Sequence, residues 1–110
     1  MKYNVFLSKA SQTDLAEAMD YIEFQLMNPC AADALLDKFE KSVNSLSVMP
    51  EKHALASDPF LNSKGVRFIP IDNYILFYTI NKSKRTVSVA RFLYGKRNWA
   101  GILKDEPLSL

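Results

Sequence analysis

The chain has 110 residues, 48% of them hydrophobic and 24% charged, with a formal net charge of +2 and a single cysteine. That length holds one domain with a core of its own, and the composition is that of a globular chain rather than a disordered one. Cys30 alone excludes an internal disulfide and a multi-thiolate metal site, and no apolar run approaches the roughly 20 residues of a membrane span.

The N-terminus opens on a strand-like pattern instead of a secretory leader, so the expected location is cytoplasmic. The expected organisation is one unit over residues 1–110, with its core over about 3–103 and a mobile tail from Lys104 to Leu110. Tyr3, Val5 and Leu7 alternate with Asn4, Phe6 and Ser8, which predicts a first strand. Ser11 followed by Asp14 reads as a capping box opening a helix whose stripe is Leu15, Met19, Ile22 and Leu26. Asn28-Pro29 ends that helix and starts a second, with Leu35, Leu36, Phe39, Val43 and Leu46 on its apolar face and Met49-Pro50 as its stop. The pair forms a helical hairpin.

Residues 51–64 show no period and read as a connecting loop, with His53 a solvated or locally bonded residue. Beyond Gly65 the texture turns to β: Val66 to Ile71, a two-residue turn at Asp72-Asn73, Tyr74 to Ile80, a polar turn from Asn81 to Arg85, and Thr86 to Tyr94. Gly95 breaks the last strand, and Asn98 to Leu103 forms a short helix that returns Trp99, Ile102 and Leu103 to the core. The predicted fold class is α+β: an N-terminal strand, a helical hairpin, a three-stranded antiparallel meander and a short C-terminal helix. The hairpin must cover one sheet face, and the other face is expected to remain open for function.

Charge is unevenly distributed. Residues 1–63 carry a formal −4 and residues 64–110 a formal +6, and all four arginines lie in the second part. An anionic partner for one face, or a basic half that balances acidic helices, accounts equally for this split. No phosphate-binding glycine loop, metal-ligand cluster or Ser/His/Asp set is recognisable, so neither cofactor nor metal is expected. The segment Arg91-Phe92-Leu93-Tyr94-Gly95-Lys96-Arg97-Asn98-Trp99 gathers three cations and a tyrosine at a strand end. A bend at Gly95 brings Lys96 and Arg97 toward the sheet beside Tyr94, and Arg67 is placed to converge from its own strand. Arginines there hold a phosphate bidentately, and Tyr94 stacks on a base or moves a proton. Against that stands a structural reading, in which Tyr94 and Trp99 are packing residues and Arg67 or Arg91 pairs internally with Glu17, Glu23 or Asp37.

The element order, with Gly65-Val66-Arg67, the strand Asn73-Tyr74-Ile75-Leu76-Phe77-Tyr78 and the terminal Tyr94-Gly95-Lys96-Arg97-Asn98-Trp99, resembles the RelE/ParE superfamily of bacterial toxins. The resemblance covers Tyr3 to about Leu103. It implies the toxin half of a type II toxin-antitoxin module, held inactive by an antitoxin that offers an acidic or apolar helix to the sheet edge or the basic end. RelE-like members enter the ribosome and cut mRNA without a metal, the 2′-hydroxyl attacking the adjacent phosphate. ParE-like members instead bind and poison DNA gyrase. On the RelE-like reading Arg97 and Lys96 hold the scissile phosphate, Tyr94 stacks or transfers a proton, and Arg67 and Arg91 add charge. Arg97 matches the RelE-like arginine after the last strand. The middle-strand arginine of that branch falls on Ile75, so Arg67 would have to substitute. The ParE-like branch, commonly with histidine at the position of Tyr94, fits the central strand at least as well. The RNA-cleaving reading is the slightly favoured expectation, with gyrase binding as its alternative.

Overall fold

The computed structural model describes residues 2–105, which form a four-stranded sheet with helices on both sides. Strand β1 (Asn4–Leu7) leads into helix α1 (Lys9–Asp20), a π-helical turn (Tyr21–Gln25) and helix α2 (Pro29–Leu46). A 3-10 turn (Pro50–Lys52) and a short helix α3 (Pro59–Ser63) precede β2 (Arg67–Ile71), β3 (Tyr74–Asn81), β4 (Thr86–Tyr94) and helix α4 (Trp99–Lys104). The sheet order is β1-β4-β3-β2, with β1 parallel to β4 and the other neighbours antiparallel. The α+β expectation, with its helical hairpin and meander, therefore holds. The part of the expected tail over residues 106–110 lies outside the described residues.

Helix α1 starts earlier than Ser11. Ser8 is its N-cap: the Ser8 Oγ accepts the Ser11 amide at 3.0 Å and donates to the Ala90 carbonyl at 2.7 Å, so one hydroxyl caps the helix and ties it to β4. Ser11, Asp14 and Ala18 are the buried face of α1. Small and polar side chains there let the helix lie close on β4, while Leu15 and Ile22 pack at the edge of the core and Leu26 is exposed. The expected stripe is thus half right, because a carboxylate with a dedicated partner replaced hydrophobic burial in the middle of the helix.

That partner is Arg91. Its Nε and Nη2 donate to the two oxygens of Asp14 at 2.6 and 2.9 Å, and the Phe92 amide donates to Asp14 Oδ2 at 3.0 Å. Strand β1 ends at Leu7 opposite Val89, so β4 runs on beyond it with a bare edge. Asp14 supplies the acceptor that a neighbouring strand would otherwise give to Phe92. Strict alternation along β4 would place Arg91 in phase with Val87 and Val89. A β-bulge removes that phase, since Phe77 pairs with Arg91 but Tyr78 with Val89, leaving Ala90 as an extra residue.

Two cores result. Under the hairpin, Phe39 meets Phe92 edge to face at 5.0 Å among Leu35, Leu46, Leu76, Tyr78, Val87 and Val89. On the opposite face, Phe77 and Leu93 pack with Ala56, Leu61, Val66 and Leu103, and the Trp99 ring lies 5.2 Å from that of Phe77. The face expected to stay open is therefore covered over part of its area by α3 and α4. Helix α3 lies within the stretch expected to be loop; Asp58 caps it by accepting the Phe60 and Leu61 amides, with Pro59 at the first position.

Replacing Asp14 by alanine takes away the carboxylate that neutralises a mostly buried guanidinium and leaves the Phe92 amide without its acceptor. Asp14→Ala should cost about 3 kcal/mol or more, read as a lower urea midpoint. The double variant Asp14→Leu with Arg91→Met should lose less than the single one.

Candidate functional site

A groove of about 960 Å³ opens where the hairpin overhangs the end of the sheet. Its walls come from α1 and the π-helical turn (Glu17, Tyr21, Ile22), the start of α2, the β2–β3 turn (Asp72, Asn73), Tyr74 on β3, and Phe92, Tyr94 and Arg97 at the end of β4. Tyr74 and Tyr94 are cross-strand partners, so the aromatic floor is set by register. Their rings meet edge to face at 5.7 Å, and Tyr74 stacks on Phe92 at 5.2 Å with the planes 18° apart. Burial, with the phenols of Tyr21 and Tyr94 nearby, raises the Tyr74 hydroxyl above its ordinary pKa and keeps it protonated at neutral pH.

The bend at Gly95 forms as expected and has identifiable bonds. The Gly95 amide donates to Asn73 O at 2.8 Å, and the Arg97 amide donates to Tyr94 O at 3.0 Å, which swings Arg97 back to the groove. A Cβ on Gly95 would stand 3.3 Å from that Asn73 oxygen, so the close approach favours glycine. Asn98 then caps α4 by accepting the Gly101 amide. Opposite, Lys38 Nζ reaches Asp72 Oδ1 at 2.7 Å and ties the β2–β3 turn to α2, with Asp72 at φ 55° in the first turn position.

The four cations and one phenol expected to act together separate into three places. Tyr94 and Arg97 line the groove, and Lys96 is exposed on the turn between them. Arg91 is committed to Asp14, a partner that spacing did not indicate because Asp14 was read as a capping residue. Arg67 pairs in register with Tyr78, four residues along β3 from Tyr74, about 13 Å at the usual strand rise. There it donates to the carbonyls of His53 at 2.6 Å and Glu51 at 3.3 Å, and so holds the loop before α3. Arg67 does not converge on Tyr94 and cannot replace the cation missing at Ile75. The sequence also left unrecognised that Tyr21, Tyr74, Asp72 and Asn73 share the groove; the turn signal at Asp72-Asn73 was visible, its position beside Tyr94 was not.

Electrostatically the groove is not a phosphate funnel. Asp14, Glu17 and Asp72 face it with Arg97 as the cation in its wall, and Asp14 and Asp72 are balanced by Arg91 and Lys38. Around its mouth the hairpin tip exposes Tyr21, Phe24, Leu26 and Met27, at 52, 67, 56 and 82%. Contiguous apolar side chains rimmed by carboxylates are the profile of a protein-binding surface. Among the described residues no three His, Cys, Asp or Glu side chains gather to hold a metal, and no helix is long and apolar enough to cross a membrane.

A family model for the ParE toxin of type II toxin-antitoxin systems, parDE, matches residues 5–99. The chain belongs to the ParE toxin family. Among solved structures, it is similar to a chain of the chromosomal ParDE toxin-antitoxin system from P. aeruginosa, with a TM-score of 0.66 and 14% identity over 84% of this chain and 95% of that one. It is also similar to a chain of the RelBE2 toxin-antitoxin complex from Mycobacterium tuberculosis, with a TM-score of 0.59 and 20% identity over 86% of this chain and 99% of that one. No curated protein matches at the sequence level. The ParE-family chain thus has a fold common to both branches of the superfamily.

Tyr78 anchors the far end of this frame. Its buried hydroxyl donates to Pro50 O at 2.5 Å, and burial pushes its pKa up to about 12. A phenol whose folded pKa exceeds its unfolded value near 10 contributes stability that is intact below pH 10 and is lost as pH rises toward about 12. Tyr78→Phe should lose about 1 kcal/mol at neutral pH and show a shallower alkaline decline, measured by urea unfolding between pH 7 and 11.

Proposed function

We propose that this ParE-family toxin arrests growth by binding DNA gyrase rather than by cleaving mRNA. The observation that carries the reading is the fate of Arg67 and Arg91. Each is consumed by bonds that hold the chain itself together, one to backbone carbonyls and one to a buried carboxylate. With Ile75 where a RelE-like enzyme has its middle-strand arginine, Tyr94, Lys96 and Arg97 remain. Two cations and a tyrosine beside an acid-rimmed groove are a poor set for stabilising the extra negative charge of a phosphoryl transition state. The same surface suits a protein: exposed aromatic and methionine side chains at its centre, Arg97 as a hydrogen-bonding anchor, and charge at its rim. Neutralisation by an antitoxin follows from the same surface, since a segment lying in the groove would cover Tyr94 and Arg97 together.

The test is induction of the chain in a host without antitoxin, with primer extension on an abundant mRNA and a supercoiling assay on purified gyrase run in parallel. Growth arrest with intact mRNA and inhibited supercoiling is the expected result. New cuts inside reading frames, absent from an Arg97→Ala variant, would return the reading to an mRNA endonuclease. Arg97→Ala should weaken supercoiling inhibition by about tenfold or more with an unchanged melting temperature.

A further inference from the structure

The end of the sheet opposite the groove is built from three separated segments. Tyr3 N donates to Ser47 O at 2.7 Å, Asn4 N donates to Arg85 O at 2.9 Å, and Lys82 Nζ reaches Glu51 Oε2 at 3.2 Å. These bonds bring Lys2, Lys52, Lys82, Lys84 and Arg85 to one end of the molecule, all exposed, with Glu51 as the carboxylate among them. The locally excess positive charge is therefore about twice the +2 of the whole chain, even though Lys2 and Lys52 belong to the half that is acidic in sum.

The charges sit on a fixed support. In the turn between β3 and β4 the Lys84 amide donates to Asn81 Oδ1 at 3.0 Å, Arg85 adopts φ 53°, and its carbonyl is held by β1. The Arg85 guanidinium lies over the Tyr3 ring at 5.5 Å. Such a turn presents cations without the ordering entropy of a loose loop. Two aromatic rings at this end are already engaged: Tyr3 lies under Arg85, and His53 meets the buried Tyr78 edge to face. Recognition of single-stranded nucleic acid relies on free aromatic faces for base stacking, whereas a duplex asks for cations along its phosphates.

We propose that this end binds the phosphate backbone of duplex DNA, without sequence preference, as a second surface separate from the groove. Lys82, Lys84 and Arg85 form its centre and Lys2 and Lys52 its margins. The proposal stands independently of gyrase binding, because it concerns the free chain; a toxin with both surfaces could grip a protein at one end and the DNA that the protein handles at the other.

Fluorescence anisotropy of the purified full chain with a labelled 20-base-pair duplex tests it, beside single-stranded and duplex RNA of equal length. Engagement of about four phosphates predicts a loss of about a hundredfold in affinity between 50 and 200 mM salt. Lys84→Glu and Lys38→Glu alter net charge equally but lie at opposite ends; the first should weaken binding about tenfold and the second by less than about twofold. The triple variant Lys82→Gln, Lys84→Gln, Arg85→Gln should flatten the salt dependence, with circular dichroism melts confirming that it folds. Equal weakening by the two glutamate variants, tighter binding to either RNA, or no salt-dependent binding would each overturn the proposal, whatever the supercoiling assay reports.

Discussion

The Asp14 carboxylate holds three donors from β4, two on the Arg91 guanidinium and one on the Phe92 backbone, at the place where β1 has stopped pairing. Without it the end of β4 would be an unpaired edge beneath a helix, which costs free energy for each buried amide left unmet. Everything in the groove depends on that strand end. Phe92 packs on Phe39 and under Tyr74, Tyr74 faces Tyr94, and the bend after Tyr94 returns Arg97 to the wall. A buried ion pair is not in itself a strong source of stability. Its contribution here is placement: it fixes α1 against β4 in one register, and so fixes the hairpin over the sheet.

The same pair changes what the chain can be read to do. A cation near an aromatic at a strand end looks catalytic until its partner is seen. Arg91 and Arg67 both carry the residue type that phosphate chemistry needs, yet one completes a helix-to-sheet joint and the other closes a loop over a strand edge. Family membership and a toxin fold leave the choice between nuclease and binding toxin to individual side chains. Those side chains leave Tyr94, Lys96 and Arg97 beside apolar surface, and the proposed binding role rests on that set.

The elements were legible where local chemistry acts alone. Alternation marked the strands, Asn28-Pro29 and Asn98 marked helix starts, and Asp72-Asn73 marked the tight turn. The signal for α3 was also present, in Asp58 followed by Pro59, but lay within an aperiodic stretch. What could not be read were features decided by tertiary pairing. Ser11-Asp14 has the spacing of a capping box, but Ser8 takes the cap and Asp14 turns inward to Arg91. The assignment of Arg67 to the candidate site rested on strand adjacency; the β2–β3 register sets it four residues from the tyrosines.

The extra residue at Ala90 sets which way the end of β4 faces. Before the bulge Val87 and Val89 point under the hairpin; after it Phe92 does, while Leu93 joins the opposite core. Losing Ala90 would restore uninterrupted alternation and leave Phe92, Leu93 and Tyr94 on the faces they now occupy, whereas straightening the strand with Ala90 kept would exchange the two faces downstream, sending the tyrosine away from the groove and the leucine into it. Substitutions along this stretch can be absorbed one side chain at a time, whereas losing the bulge at constant length would rewire both cores together. The length of this strand is therefore tied to its bulge, and a relative that lacks the extra residue would be matched to the correct face of the sheet only with a gap at Ala90.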